Sequence, residues 1–138
     1  IRRQRQMCIR DRKFPEKAVT FYAQNYPAMG WAVLMAGGSC PVIPCTDKAF
    51  LKDAAIMEVE ETNTDDYKRI VKSDIGSIIY SKSGTEIPVQ LSSGKYSLKY
   101  IHPSSGKVTM IDKLLKINDV YTLKVPDKKE GIYWFHKL

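Results

Sequence analysis

Two histidines, three cysteines and no long apolar run set the first limits on this 138-residue chain. The longest apolar stretch, residues 28–36, falls far short of the ~20 residues that cross a bilayer and ends in Gly37-Gly38, so no membrane span is expected. No signal peptide is visible. Cys40 and Cys45 enclose Pro41, Val42, Ile43 and Pro44; extended, they are too far apart to bridge, and only a tight turn would join them. Two small, semi-buried thiols is the plainer reading. Neither His102 nor His136 lies at ligand spacing from the cysteines, and no nucleophile accompanies either histidine, so no zinc site, catalytic pair or cofactor is expected.

Basic charge is in apparent excess. Lys and Arg number 22 against 15 Asp and Glu, a net +7 with an isoelectric point near 9.3, which by itself suggests nucleic acid or an anionic membrane. Most of that excess sits in residues 1–12, IRRQRQMCIRDR. Back-translated, residues 5–11 read AGA CAG ATG TGT ATA AGA GAC, a codon string that resembles the transposon mosaic-end adaptor of sequencing libraries read through in one frame. The segment is therefore expected to be an adaptor artefact and is left out of fold reasoning. It holds five arginines and one aspartate, a net +4, leaving +3 spread over the remaining residues without a run of like charges. No nucleic-acid partner is expected. On this reading the chain proper starts near Lys13 and is a fragment.

From Phe14 to about Glu61 the pattern is helical. Pro15 suits a first helical turn, and Ala18, Phe21 and Tyr22 recur at helical spacing before Asn25 and Pro27 interrupt. A second helix is expected from Pro27 or Ala28 to Ala36, apolar nearly all round and stopped by Gly37-Gly38. Val42 and Ile43 read as a short, buried strand end. Asp47 is a good N-cap for a third helix carrying Phe50, Leu51, Ala54 and Ala55. Three short helices cannot bury the apolar surface of residues 28–36 by themselves, which points to a missing N-terminal body. Glu58, Glu60, Glu61, Asp65 and Asp66 then read as a solvated surface connection. Paired carboxylates are also what glycosidases use, but nothing in the sequence places these acids on separate elements facing a common cleft.

Beyond that stretch the period becomes two. Segments 76–80, 86–91, 96–100, 107–112, 121–125 and 132–136 read as six short strands, with turns at Ser81-Lys82-Ser83-Gly84, Ser92-Ser93-Gly94 and His102 to Gly106. Pro88 belongs on an edge or at a bulge. Alternation places Ile132, Trp134 and His136 on one face of the last strand and Tyr133 and Phe135 on the other. With both faces apolar, that strand is expected to be central or covered. The aromatic set Tyr96, Tyr100, Tyr121, Tyr133 and Trp134 is expected to pack inside rather than form a sugar-stacking platform.

Residues 94–106 (GKYSLKYIHPSSG), the later Val125-Pro126 strand end and the terminal Trp134 strand resemble the C-terminal β-sandwich of apiosidase-like and related bacterial glycoside hydrolases, a domain often labelled collagen-binding. Residues 31–39 (WAVLMAGGS) resemble the late-barrel helix of the same enzymes and the Gly-rich approach to their last strand. The resemblance covers most of residues 26–138. It implies an α+β fragment: residues 13–58 as the short helical remnant of a (β/α)8 TIM barrel, and residues 59–138 as a small antiparallel β-sandwich accessory domain packed on its own catalytic barrel. The barrel strands that bear the family's two catalytic carboxylates would precede Lys13, so no catalytic residue carries over and the fragment alone is expected to be inactive. If residues 39–43 form the last barrel strand, Thr46 and Asp47 sit near the substrate cleft; capping alone is a sufficient account of Asp47. His102 stands where an acidic residue is commoner in this turn, which puts acidic capping of it in doubt. Carbohydrate is the implied partner, through the barrel, and the periplasm or the exterior the implied location. The alternative is a non-catalytic carbohydrate- or matrix-binding module, which needs exposed coplanar aromatics. A standalone adhesion domain would require Trp31 and Leu34 to pack within this chain.

Overall fold

A computed structural model describes residues 27–38, 43–45 and 47–138. The helix expected to start at Pro15, the adaptor segment, Cys40, Val42 and Thr46 lie outside the described residues. Helix α1 (Pro27–Met35) forms where the apolar run predicts it. Gly37, at φ +77, ends it: Gly37 N donates to Leu34 O at 3.0 Å and Gly38 N to Val33 O at 2.9 Å, the paired bonds of a Schellman cap. Helix α2 (Lys48–Ile56) starts at Asp47, whose carboxylate accepts from Phe50 N at 3.0 Å. Ile43 has no regular structure, so no strand end is seen there.

The remaining elements are strands: β1 (Glu58–Glu60), β2 (Tyr67–Lys72), β3 (Gly76–Ser81), β4 (Glu86–Ile101), β5 (Val108–Lys124) and β6 (Gly131–Lys137). They join in one antiparallel sheet of order β1-β2-β3-β6-β4-β5. β6 is central, paired with β3 on one side and with the second half of β4 on the other, as its two apolar faces predict. Two expectations fail here. The acidic connection begins with a strand, because Glu58 to Glu60 pair with Arg69 to Val71, and a further strand follows it, since β2 pairs along its whole length with β3. The expected turn at Ser92-Ser93-Gly94 is instead an irregularity inside β4, between the pairs Leu91–Asp119 and Gly94–Ile117. There the chain bends without reversing, as bulges allow.

That bend makes the sandwich. Ile87, Val89 and Leu91 from the first half of β4, with Ile117 and Leu123 of β5, pack on Ile79, Tyr133 and Phe135 of the central strands. The long β4–β5 hairpin thus folds over one face of the sheet it belongs to. Pro88 lies in this overlying half, where β4 pairs only with β5, so its missing N–H costs no ladder bond on the other side. The opposite face is covered by the helices: Trp31, Leu34, Met35 and Phe50 pack with Ile70, Ile78, Ile101, Ile132 and Trp134. Trp31, Phe50 and Trp134 are fully buried and meet edge to face, with ring centroids 6.0 and 5.4 Å apart.

The expectation that the apolar helix needs a missing body to bury it is therefore corrected. Trp31 is 0 % and Leu34 8 % exposed, with the sheet as their cover. Trp31 Nε1 also donates to Pro103 O, in the β4–β5 turn, at 2.7 Å. At Gly106 (φ +70) in the same turn, a Cβ would lie 2.2 Å from Pro44 O, so only glycine fits between turn and helical segment. Helices and strands share the core on this face. The fold is mostly antiparallel sheet, a β-sandwich-like domain with short helices on its outer face; a barrel remnant is not recognisable among the described residues.

Candidate functional site

Of the two expected substrate contacts, Asp47 caps α2 through its carboxylate, and Thr46 lies outside the described residues. Cys45 is a free, buried thiol, and burial pushes its pKa up. In place of an acidic cap, His102 holds its turn with its ring: Nδ1 accepts from Ser104 N at 3.3 Å and Ser105 N at 3.4 Å. Among the described residues no cluster of three or more His, Cys, Asp or Glu could hold a metal ion, and no helix is long and apolar enough to cross a membrane.

The aromatics pack inside, as expected. Tyr96, Tyr133 and Trp134 are at most 2 % exposed, and Tyr100 and Tyr121 lie half-buried against the hairpin-side core. Their hydroxyls tie backbone down: Tyr133 donates to Lys129 O and Tyr100 to Glu130 O in the loop before β6, each at 2.8 Å, and Tyr96 to Ser92 O at the bend of β4 at 2.6 Å. Burial is the main cause pushing the Tyr133 phenol up to about 12, with Tyr100 adding to it; the Tyr100 phenol is raised too, by burial and then Glu130. Tyr80 is raised likewise, its hydroxyl 3.3 Å from Glu130 Oε1. No coplanar exposed platform results.

Two polar arrangements remain. The first is buried. Asp53 Oδ2, on a side chain only 7 % exposed, accepts from Trp134 Nε1 at 2.9 Å and lies 2.6 Å from His136 Nδ1. His136 is thus hydrogen-bonded where α2 meets β6, and its partner Asp53 is not among the residues the sequence singles out. Phe50, Asp53 and Ala54 share one helical face, and an aspartate on an apolar face was the available signal. The carboxylate orients one ring nitrogen as in a hydrolytic triad, but among the described residues no hydroxyl or thiol is hydrogen-bonded to His136. This group clamps α2 to β6.

The second is an open cleft of about 620 Å³ between the β1–β2 edge and the overlying hairpin. Glu58 and Glu60 reach it from β1 and Asp119 from β5, so the fold does place acids from separate elements on a common cleft. Ile56, Val71 and Leu91 supply apolar lining, and Gln90 and Ser92 polar groups. Glu60 Oε1 pairs with Arg69 Nη2 at 2.8 Å, and Arg69 Nη1 donates to Pro88 O at 2.7 Å, joining the two walls. Asp119 adopts φ +84 at the bend of β5, a conformation aspartate tolerates better than most residues. General-acid chemistry needs one carboxyl enclosed in apolar surroundings, whereas Glu58, Glu60 and Asp119 all stand exposed. The cleft's carboxylates, amide and hydroxyl can hydrogen-bond a polar ligand.

Residues 5–57 match the profile of a family described as a domain of unknown function (DUF6298). The matched segment covers fewer than half of the residues, takes in both helices, stops before β1 and includes most of the stretch read above as adaptor. No curated protein matches. Among solved structures, a chain titled "Glycoside hydrolase" is similar with a TM-score of 0.44 at 13 % identity, covering 60 % of this chain and 20 % of that one. This chain thus spans about a fifth of that structure's length. A likeness at that level carries nothing about activity.

Proposed function

We propose that this chain is a non-catalytic, β-rich accessory domain of a larger carbohydrate-active protein, a glycoside hydrolase. The observation that carries the accessory role is the disposition of the aromatics: Trp134 and Tyr133 are spent on the core, and the polar groups beside them are spent on loops and on α2. The hydrolase assignment rests on the resemblance of residues 26–138 to the sandwich of apiosidase-like enzymes, with a barrel preceding residue 13 as the intramolecular partner and the periplasm or exterior as its place. Thr46 and Asp47 remain the residues proposed to approach that barrel's substrate. Recovery of the upstream reading frame tests this, and the same read shows whether residues 1–12 are genomic. Repeated strand–helix units with two strand-end carboxylates are expected upstream; a frame without them removes the hydrolase assignment.

The cleft favours a second reading, carbohydrate binding by the domain itself. Carboxylates and an amide beside aliphatic side chains suit the hydroxyls and C–H faces of a sugar. Polysaccharide pull-down with the full chain is expected to show retention that Glu58→Gln with Asp119→Asn reduces; equal retention by wild type and variant excludes the cleft. The whole chain is required, because the helices complete the core.

A further inference from the structure

The sheet ends on two unlike edges, and we infer that they pair between copies: β1 of one copy docks on the free edge of β5 in a second. β1 exposes Glu58, and Glu60 together with its Arg69 partner, about Val59, itself 36 % exposed. At the other end of the strand order, the first half of β5 exposes Lys113 and Lys116 together with Met110, Ile111 and Leu114, the last three 43 %, 52 % and 53 % exposed. Among the described residues β1 pairs only with β2 and β5 only with β4, so each offers unpaired backbone N–H and C=O groups along one side.

An open edge accepts any extended strand, and side-chain charge decides which. Like charges facing each other across a strand pair destabilise it, and opposite charges stabilise it. Two β1 strands would bring Glu58 and Glu60 against their own copies, and two β5 strands would crowd Lys113 and Lys116. Only the mixed pair is attractive, and it also brings Val59 towards the apolar group on β5. Both edges limit the contact. β1 has three residues, and β5 is interrupted where Asp112 Oδ1 accepts from Leu114 N at 2.9 Å. The association is therefore brief, dependent on concentration and weakened by salt, not a permanent dimer. Because the two surfaces differ, repetition gives rings or open chains instead of a closed pair.

The test is zero-length carbodiimide coupling of a mixture of isotope-labelled and unlabelled full-length chain, read by mass spectrometry beside sedimentation velocity. The expected products join Glu58 or Glu60 of one copy to Lys113 or Lys116 of another. Their yield should fall about tenfold in about 0.5 M sodium chloride, where charges are screened within roughly 4 Å. Glu58→Lys, and separately Lys113→Glu with Lys116→Glu, should each abolish association, while an equimolar mixture of the two variants restores it. Circular dichroism checks that these surface changes leave the fold intact. A chain that sediments as a monomer at its highest soluble concentration overturns the inference. So do intermolecular links from Glu58 to Lys13 or Lys17, or association that survives in either variant.

Discussion

Removing the carboxylate of Asp53 should loosen α2 from the sheet. Trp134 Nε1 is fully buried, and without Asp53 it has no acceptor; an orphaned buried donor costs roughly 1–3 kcal/mol. His136 is 34 % exposed, so water can replace its lost partner, and its share is smaller. Asp53→Ala should therefore cost about 2–4 kcal/mol and lower the melting temperature by about 3–5 °C for each kcal/mol. Asp53→Asn keeps one acceptor for the indole and should cost about half as much. Combining Asp53→Ala with Trp134→Phe removes donor and acceptor together, and the double change should be milder than the sum of the singles by about 1–2 kcal/mol. Urea unfolding followed by near-ultraviolet circular dichroism and tryptophan emission measures the wild type and the four variants. The opposing effect is the cost of burying the carboxylate itself, which in some proteins outweighs its bonds. An Asp53→Ala variant as stable as wild type, or more so, would refute the clamp.

Gly106→Ala should cost roughly 3 kcal/mol or more in thermal melts, since it meets both a left-handed backbone and the Pro44 carbonyl at 2.2 Å. Gly84→Ala, at φ +71 with its nearest neighbour Asp127 Oδ1 at 3.3 Å, should cost only about 1 kcal/mol, and equal losses would dismiss the contact with Pro44. Tyr133 is pushed up to about 12 by burial, so the folded state holds this proton more tightly than the unfolded chain does near pH 10. Its contribution is complete below pH 10 and is lost as pH rises towards 12, a decline of at most about 2–3 kcal/mol. Tyr133→Phe should be about 1 kcal/mol less stable at neutral pH, yet lose less stability between pH 10 and 12 in urea titrations; an unchanged slope would assign the decline to Tyr80 and Tyr100. Asp47→Ala should cost about 1 kcal/mol by urea unfolding and, with no barrel in this chain, leave its polysaccharide retention unchanged; lost retention in a folded variant would show that Asp47 contacts glycan within this chain.

What local pattern could reveal, it revealed. Gly37-Gly38 stops α1 and Asp47 starts α2 because caps are written in adjacent residues. The alternation of residues 132–136 put Trp134 and Tyr133 on opposite faces, and a strand apolar on both sides has to be central. Failures came where pairing, not composition, decides. Only Ile70 of β2 is fully buried, so residues 67–72 carry no clear strand signal until β1 and β3 are laid beside them. Ser92-Ser93-Gly94 has the composition of a turn, yet the partner strand continues opposite it through Ile117 and Asp119, and the segment becomes a bend. The cleft left no trace in the sequence, because that bend alone brings Asp119 to Glu58 and Glu60.

The same bend bears on how a further domain could be attached. The hairpin covers one face of the sheet and α1 with α2 the other, so among the described residues neither broad apolar face is left for a neighbour. Trp31 and Leu34 cannot serve as the core of a preceding barrel while they serve as the core here. A barrel joined to this body would have to meet it through side chains still open to solvent. On α2 these are Leu51 and Ile56, 43 % and 47 % exposed, on the outer side of the helix that Asp53 holds in place. Contact there would load the clamp directly: displacing α2 would separate Asp53 from Trp134, and a loosened clamp would weaken the docking surface. Stability of the domain and its seating on a neighbour would then depend on the same buried carboxylate.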